Sequence, residues 1–195
     1  GIKVTAHLCS VTFREAVSLG IDQLEHGLLT NTDYMSDKEP DQCVGIGSAY
    51  LDIDMDSEEV QTTFREMIAS GVGMTSTLAV YENFVHGRPP VEPRVLEMLA
   101  PEIAMAVEAE NNRYVNAPEN ASIGFPPEMF QKALEYEAAF VRAGGTLAAG
   151  VDPTGYGAAL PGFGDQRNFE LLREADFSPE EVIQIMSANG AKILD

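Results

Sequence analysis

Three side chains in this sequence are of types that bind metal ions, and each follows a short β-rich run. These residues are His7, His26 and Asp152. Neutral imidazole is a common zinc ligand, and a carboxylate completes many such sites. The chain has only three histidines, and two of them end consecutive predicted strands. The three residues therefore indicate a metal site, with ordinary residues at the rim of a sheet as the alternative, because a lone histidine there often only bonds a loop carbonyl.

A repeated pattern of helix, glycine and strand would position these side chains. We predict strands at about 3–8, 21–26, 72–78 and 146–151, and the last three each follow a helix-period segment that ends in glycine. Glycine just past a helix end permits the left-handed residue that stops the helix. Strands that alternate with helices through short joints indicate βαβ units and a parallel sheet. The carboxyl ends of the strands would then share one edge.

The helices carry start and stop signals of their own. The run Ser-Pro-Glu-Glu at 178–181 combines an N-cap, a proline at the first position and a capping-box glutamate, and an apolar stripe continues from it to Ile193. The Pro-Pro pair at 126–127 precedes another helix start. A further helix is predicted over about 93–113, and Pro101 must kink it or split it in two.

Three long stretches rich in Gly, Pro, Asp and Asn are predicted to be loops. They are 27–56, 79–93 and 153–167, and all three follow strands, whereas the helix-to-strand joints are minimal. Loops of this length inside a compact α/β domain are usually functional. The asymmetry is expected of a (β/α) barrel, whose active site is built from the loops after the strands. A doubly wound open sheet shares it, so both architectures stay open at this point.

Composition places the chain among globular proteins and limits its partners. The 195 residues are 45% hydrophobic and 22% charged, with a net charge of −19. Such a polyanion repels phosphate backbones and anionic lipid, and no apolar run reaches the roughly 18 residues that span a bilayer. We therefore expect a small-molecule substrate and neither a nucleic-acid nor a membrane partner, with a homo-oligomer left open.

The cysteines and the first residues bear on the compartment. Cys9 and Cys43 are too few for a disulfide framework and fit a reducing compartment, although a single bridge between them stays open. The chain starts without a signal-type region or an initiator Met, which suggests a processed or partial chain. A cytoplasmic location is the expectation.

The strand ends and the tail together resemble the second half of the barrel in the amidohydrolase superfamily, nearest its imidazolonepropionase-like and prolidase-like (dipeptidase-like) branch. The runs that carry the resemblance are Thr5-Ala6-His7, Gln23-Leu24-Glu25-His26-Gly27, Ala149-Gly150-Val151-Asp152 and the tail segments 160–172 and 178–191. The resemblance covers nearly the whole chain except 27–56, which we expect to be a loop insertion.

The resemblance implies a fold, a cofactor and a reaction. The fold would be α/β, a TIM-type (β/α)8 barrel of which residues 1–195 supply strands 5 to 8 and the following helix. His7 and His26 would bind one ion of a binuclear pair, and Asp152 would bind the other and act as the catalytic proton carrier. The cofactor would be a divalent metal, zinc by preference, as one or two ions. The reaction would be hydrolysis of an amide-type C–N bond, peptide-like or cyclic, by metal-activated water.

The sequence also departs from the family. Deaminases of the superfamily carry a His-Ala-x-Glu element, whereas residues 7–10 here are His-Leu-Cys-Ser, which favours amide or lactam hydrolysis over deamination. The His-x-His pair of the first strand and the carboxylated lysine of the fourth are missing. We expect them in a preceding segment, and the 195 residues alone should be inactive. The alternative is a non-catalytic fragment or degenerate homologue that serves as a structural or assembly module.

Two loop residues are candidates for substrate binding. His86, with Arg88, could bind a substrate carboxylate, and Tyr156 could line the pocket. The alternatives are a solvated loop residue for His86 and simple loop packing for Tyr156. We expect residues 75–77, Thr-Ser-Thr, to pack at the rim of the sheet rather than take part in chemistry.

Overall fold

The computed structural model describes residues 1–45, 48–118, 121–153 and 158–194. Four strands form one parallel sheet in the order of the chain. They are β1 (Thr5–Ala6), β2 (Gln23–Glu25), β3 (Gly73–Ser76) and β4 (Leu147–Ala149). The predicted α/β class with four parallel strands is confirmed, although each strand is shorter than the sequence predicts.

Helices fill the connections between the strands and follow the last one. The α-helices in the described part of the chain are α1 (Phe13–Ser18), α2 (Glu58–Ala69), α3 (Leu78–Glu82), α4 (Pro93–Leu96), α5 (Pro101–Val115), α6 (Pro127–Arg142), α7 (Phe163–Glu174), α8 (Pro179–Met186) and α9 (Ala188–Leu194). Two 3-10 helices, Gly27–Thr30 and Ser48–Asp52, lie between β2 and α2.

The register of the sheet separates an apolar face from a polar one. Leu24 pairs with Met74, which pairs with Leu147, so these three fully buried side chains share a face. They belong to one hydrophobic core together with residues of the helices, among them Phe13, Phe64, Phe140, Leu171 and Val182. Burial of this apolar surface against the helices is the main stabilising contribution to the fold.

The opposite face of the sheet is polar. Gln23 donates a hydrogen bond from Nε2 to Thr75 Oγ1 at 2.9 Å, and the Thr5 hydroxyl bonds the carboxylate of Glu25. A Cβ on Gly73 would lie only 2.3 Å from Gln23 Oε1, so a larger residue there would displace the Gln23 side chain. Right-handed crossovers between consecutive neighbouring strands put all connections on one face, as in a barrel, whereas a doubly wound sheet carries helices on both faces. The barrel, with its closure by eight strands, stays a prediction.

The predicted loop 27–56 is better described as a packed segment than as a simple loop. It contains both 3-10 helices, and it contributes Leu28 and Tyr50 to the hydrophobic core. Asn31 is fully buried, and its side-chain amide donates to the Tyr136 hydroxyl at 3.0 Å. Apolar burial and a paired amide therefore fix this segment against α6.

The other two predicted loops are shorter than expected. Helix α3 already occupies the start of 79–93, and α7 begins at Phe163 inside the predicted loop 153–167. The predicted helix over about 93–113 is split into α4 and α5, and Pro101 stands at the first position of α5. Proline fits there because the first helical residues need no intrahelical N–H partner.

The terminal helix is broken, contrary to the continuous apolar stripe expected from the sequence. Ser178 caps α8 with a complete capping box, as predicted. Ser187 then leaves the helical conformation with φ −138° and ψ −76°, and α9 follows without any buried residue. The stripe therefore ends in α8, where Val182 and Ile185 are buried.

A disulfide joins Cys9 to Cys43 with their Cα atoms 4.8 Å apart. It links the turn after β1 to the segment that follows β2, and it realises the single bridge that the sequence left open. Disulfides persist mainly in oxidising compartments, and the compartment of this protein stays a prediction. None of the helices described is long and apolar enough to cross a membrane.

Candidate metal centre

The structure brings the three predicted metal-binding residues to one edge of the sheet. His7 directly follows β1, His26 directly follows β2, and Asp152 comes three residues after β4. The ring centroids of His7 and His26 are 4.7 Å apart. His26 Nε2 lies 3.8 Å from Asp152 Oδ2. This edge holds the carboxyl ends of all four strands, where barrel enzymes place their chemistry.

The imidazole of His26 and its backbone contact the end of the neighbouring strand β3. Its Nδ1 lies at hydrogen-bond distance, 2.7 Å, from the Thr77 hydroxyl. Its backbone N–H donates to the carbonyl of Thr75 at 3.0 Å. A histidine that binds a metal through one nitrogen usually donates its other ring N–H to an oxygen, which fixes tautomer and orientation. Thr77 is placed to accept that bond, which leaves Nε2 facing Asp152.

The backbone at this edge adopts an unusual conformation. Four non-glycine residues in the described chain have positive φ, and two of them are His26 (φ 70°) and Asp152 (φ 43°). A left-handed residue after a strand turns the chain sharply, and at His26 this starts the 3-10 helix Gly27–Thr30. Such conformations are uncommon outside glycine and cluster at functional sites. Their presence at two of the three candidate ligands is consistent with a built site.

Burial sets the protonation state of His26. Desolvation is the main cause that lowers the pKa of His26, and the neighbouring His7 lowers it further. Asp152 and Glu25 act in the opposite direction and do not reverse the shift. The imidazole is therefore neutral at neutral pH, which is the form that binds metals.

Tyr81 also belongs to this edge, although the sequence analysis missed it. Its ring lies edge-on to His26 with 5.5 Å between centroids. Burial, with a smaller contribution from the charge of Asp152, raises the pKa of the Tyr81 hydroxyl. The phenol therefore stays protonated and can donate a hydrogen bond. The only signal in the sequence is its position four residues after Thr77, just past a strand end.

A buried asparagine ties the β4 end to the β3 end. Asn168, on α7, donates from Nδ2 to the Gly150 carbonyl at 2.7 Å and accepts from the Ala79 N–H at 2.8 Å. It is completely buried. Asp152 and Tyr81 each lie two residues from one of these contacts, so Asn168 fixes the backbone that carries both.

The geometry fits part of a metal site. The 3.8 Å between His26 Nε2 and Asp152 Oδ2 is compatible with ligands of two neighbouring ions, which lie about 3.5–4 Å apart in binuclear sites. That separation is too long for a direct hydrogen bond. Among the residues described, no group of three His, Cys, Asp or Glu side chains converges to hold an ion. A metal ion at this edge therefore stays a prediction.

The two predicted substrate residues have different outcomes. His86 is buried, and its Nε2 lies 2.6 Å from the Ile123 carbonyl oxygen. The alternative interpretation of His86 as a solvated loop residue is therefore wrong. Arg88 is held by Glu82 and Glu174 rather than facing a ligand. A substrate role for His86 stays a prediction, and Tyr156 lies outside the described residues.

Comparison with known proteins finds no family model and no curated protein that matches this chain. The family resemblance therefore depends on the residues at the strand ends and on the tail.

Proposed function

We propose that this chain forms part of a metal-dependent hydrolase that cleaves an amide-type C–N bond, peptide-like or cyclic, with metal-activated water. The observation that carries the proposal is His26: its Nδ1 is engaged by Thr77, and its Nε2 faces Asp152 Oδ2 at 3.8 Å. Both residues lie at the carboxyl edge of a parallel sheet, with His7 beside them.

The described residues have distinct roles in this proposal. His7 and His26 would hold a divalent cation, zinc by preference, and Asp152 would hold a second ion. A cation held there would polarise the scissile carbonyl and lower the pKa of a bound water, so that hydroxide is available as the nucleophile at neutral pH. Asp152 accepts the proton of the attacking water and delivers it to the leaving nitrogen. Tyr81, protonated and next to His26, is placed to donate a hydrogen bond to a substrate oxygen.

The proposal places these four strands in one half of an eight-stranded barrel. Helices cover one face of the sheet, and the other face carries polar side chains such as Gln23 and Glu25. Beside β1, Ile2 is 95% exposed and Val4 is 55% exposed. Further strands beside β1 and β4 would cover this polar face and remove the open edges. They would also supply the His-x-His pair and the lysine.

The alternative function, a structural or assembly module without catalysis, has one observation in its favour. No three ligand side chains converge on an ion in the part of the chain that the structure describes. If additional strands bring no further ligands, the two histidines and Asp152 have no metal to share.

Elemental analysis and a substrate panel separate the two functions. The full-length protein would be stripped with a chelator, reloaded with Zn²⁺, and tested on dipeptides and cyclic imides or lactams. We expect bound zinc, zinc-dependent hydrolysis of at least one amide class, and loss of both in His26→Ala. A well-folded full-length protein that retains no transition metal and hydrolyses nothing in the panel would support the structural module instead.

A further inference from the structure

A carboxyl group lies buried behind the candidate metal centre with no charged partner. Glu137, on α6, is 2% exposed. Its Oε2 is buried and has no ordinary hydrogen bond to any described residue. An ionised carboxylate in such a place is strongly unfavourable, so an acid there is normally neutral or paired. No mechanistic step proposed above uses this residue.

Glu137 contacts the two chain segments that hold His26. Its Oε1 and Cγ lie 3.5 and 3.6 Å from the position that a Cβ on Gly27 would occupy, and Gly27 directly follows His26. The hydroxyl of Ser76 is close enough to lower the pKa of the same carboxyl, without meeting ordinary hydrogen-bond geometry. Ser76 directly precedes Thr77, which bonds His26 Nδ1. The carboxyl of Glu137 thus contacts Gly27, next to His26, and Ser76, next to Thr77. His26 and Thr77 are the two residues whose contact sets the position of the imidazole.

We propose that Glu137 is a positioning residue for His26. Its neutral carboxyl packs against Gly27 and beside the Ser76 hydroxyl, and so keeps the ends of β2 and β3 in the positions at which the His26 imidazole contacts Thr77. That this arrangement serves metal binding rests on the proposed function. The positioning itself is a property of the fold.

The surroundings of the carboxyl support a neutral form. Burial raises the pKa of Glu137 to about 8. The turn after β2 presents Gly27, and β3 presents Ser76, neither of which is charged. Two titratable residues adjoin these contacts along the chain: His26 precedes Gly27, and Tyr136 precedes Glu137, with its hydroxyl bound to Asn31 and Tyr34. None of these offers a positive charge at neutral pH that would hold a carboxylate.

Two substitutions of similar size test the proposal. Glu137→Gln keeps a neutral hydrogen-bonding group, and Glu137→Leu removes it. The readout is amide hydrogen exchange of residues 26–28 and 76–78 at pH 7 in the full-length protein. We expect Gln to preserve protection, and Leu to accelerate exchange in both segments by about tenfold or more, because Leu removes the polar group beside the buried Ser76 hydroxyl. Glu135→Gln, a less buried position on the same helix, is the matched control and should change neither segment.

The pH dependence keeps the test decisive if the Leu variant does not fold. Raising the pH from 7 to 9 should speed exchange in both segments of the wild-type protein by more than the intrinsic effect of pH on amide exchange. This additional increase should be smaller in Glu137→Gln, which has no carboxyl to ionise. Equal protection of both segments in the wild-type, Gln and Leu proteins would overturn the proposal. Exchange as fast in the Gln variant as in the Leu variant would also overturn it. Exchange needs neither metal nor substrate. An inactive, zinc-free wild-type protein would therefore refute the proposed function while the exchange data still decide the role of Glu137.

Discussion

His26 Nδ1 lies 2.7 Å from Thr77 Oγ1, and this contact joins the ends of two neighbouring parallel strands. It leaves one ring nitrogen available and aims that nitrogen at Asp152. The contact therefore predicts that Thr77 contributes to metal binding without being a ligand.

Thr77→Val removes the hydroxyl and keeps the shape of the side chain. We expect zinc affinity of the full-length protein to fall about 10–100-fold, the usual effect of losing the oxygen that orients a ligating histidine. Competition with a chelating dye measures it. Thr62→Val, at a half-buried position on α2, is the control and should leave affinity unchanged. Equal affinities for both variants and the wild type would show that the His26–Thr77 contact is structural only.

Asp152→Asn should hold the fold and lose turnover. Asparagine tolerates the left-handed backbone at this position, and removing a positioned proton carrier typically lowers kcat by about 10²–10⁴-fold. Asp176→Asn is a matched control, because Asp176 also has a positive φ, 65°, and lies exposed after α7. Steady-state kinetics and thermal melting of both variants are the measurements. A lowered melting temperature with near-normal kcat for Asp152→Asn would mean that this aspartate only shapes the turn.

Glu137 should make the folded protein less stable as the pH rises. The folded pKa of about 8 lies above the ordinary value of 4.5. Below pH 4.5 the carboxyl is protonated in both states. Between about 4.5 and 8 the unfolded chain releases the proton and the folded chain keeps it, so stability falls by up to about 1.4 kcal/mol per pH unit.

Glu137→Gln does not titrate and should abolish this loss. The difference in melting temperature between the Gln variant and the wild type should grow from pH 4.5 to pH 8 in favour of Gln and then level off. Glu135→Gln again serves as the control. A difference that stays constant over the whole range would show that the Glu137 carboxyl is not neutral when folded.

The disulfide should contribute measurably to stability. Cys9 and Cys43 are 34 residues apart in the sequence, and closing a loop of that size stabilises a protein by about 2–4 kcal/mol. Replacing both by Ser should lower the free energy of unfolding by that amount in urea titrations. Dithiothreitol should lower the wild-type value to that of the double variant and leave the variant unaffected. Identical curves for oxidised and reduced wild-type protein would mean that the bond does not form in solution.

Local signals in the sequence anticipated two of the helix starts and the edge at which the candidate site lies. Pro101 begins α5, and Ser178 caps α8 with Glu181. His7 and His26 lie where β1 and β2 end, as predicted, each one residue past the last strand residue. These features depend on backbone conformation and on hydrogen bonds within a few residues, so neighbouring residues suffice to specify them.

The tertiary structure alone decided which other side chains join that edge. Thr77 is 51 residues from His26, and Tyr81 and Glu137 reach the same region from two different helices. No short-range pattern encodes such contacts, because they arise when the parallel strands align and the helices pack over one face. Burial also depends on the assembled core. It keeps His26 neutral and Glu137 protonated by shifting their pKa values. It also places residues of the segment 27–56 in the hydrophobic core.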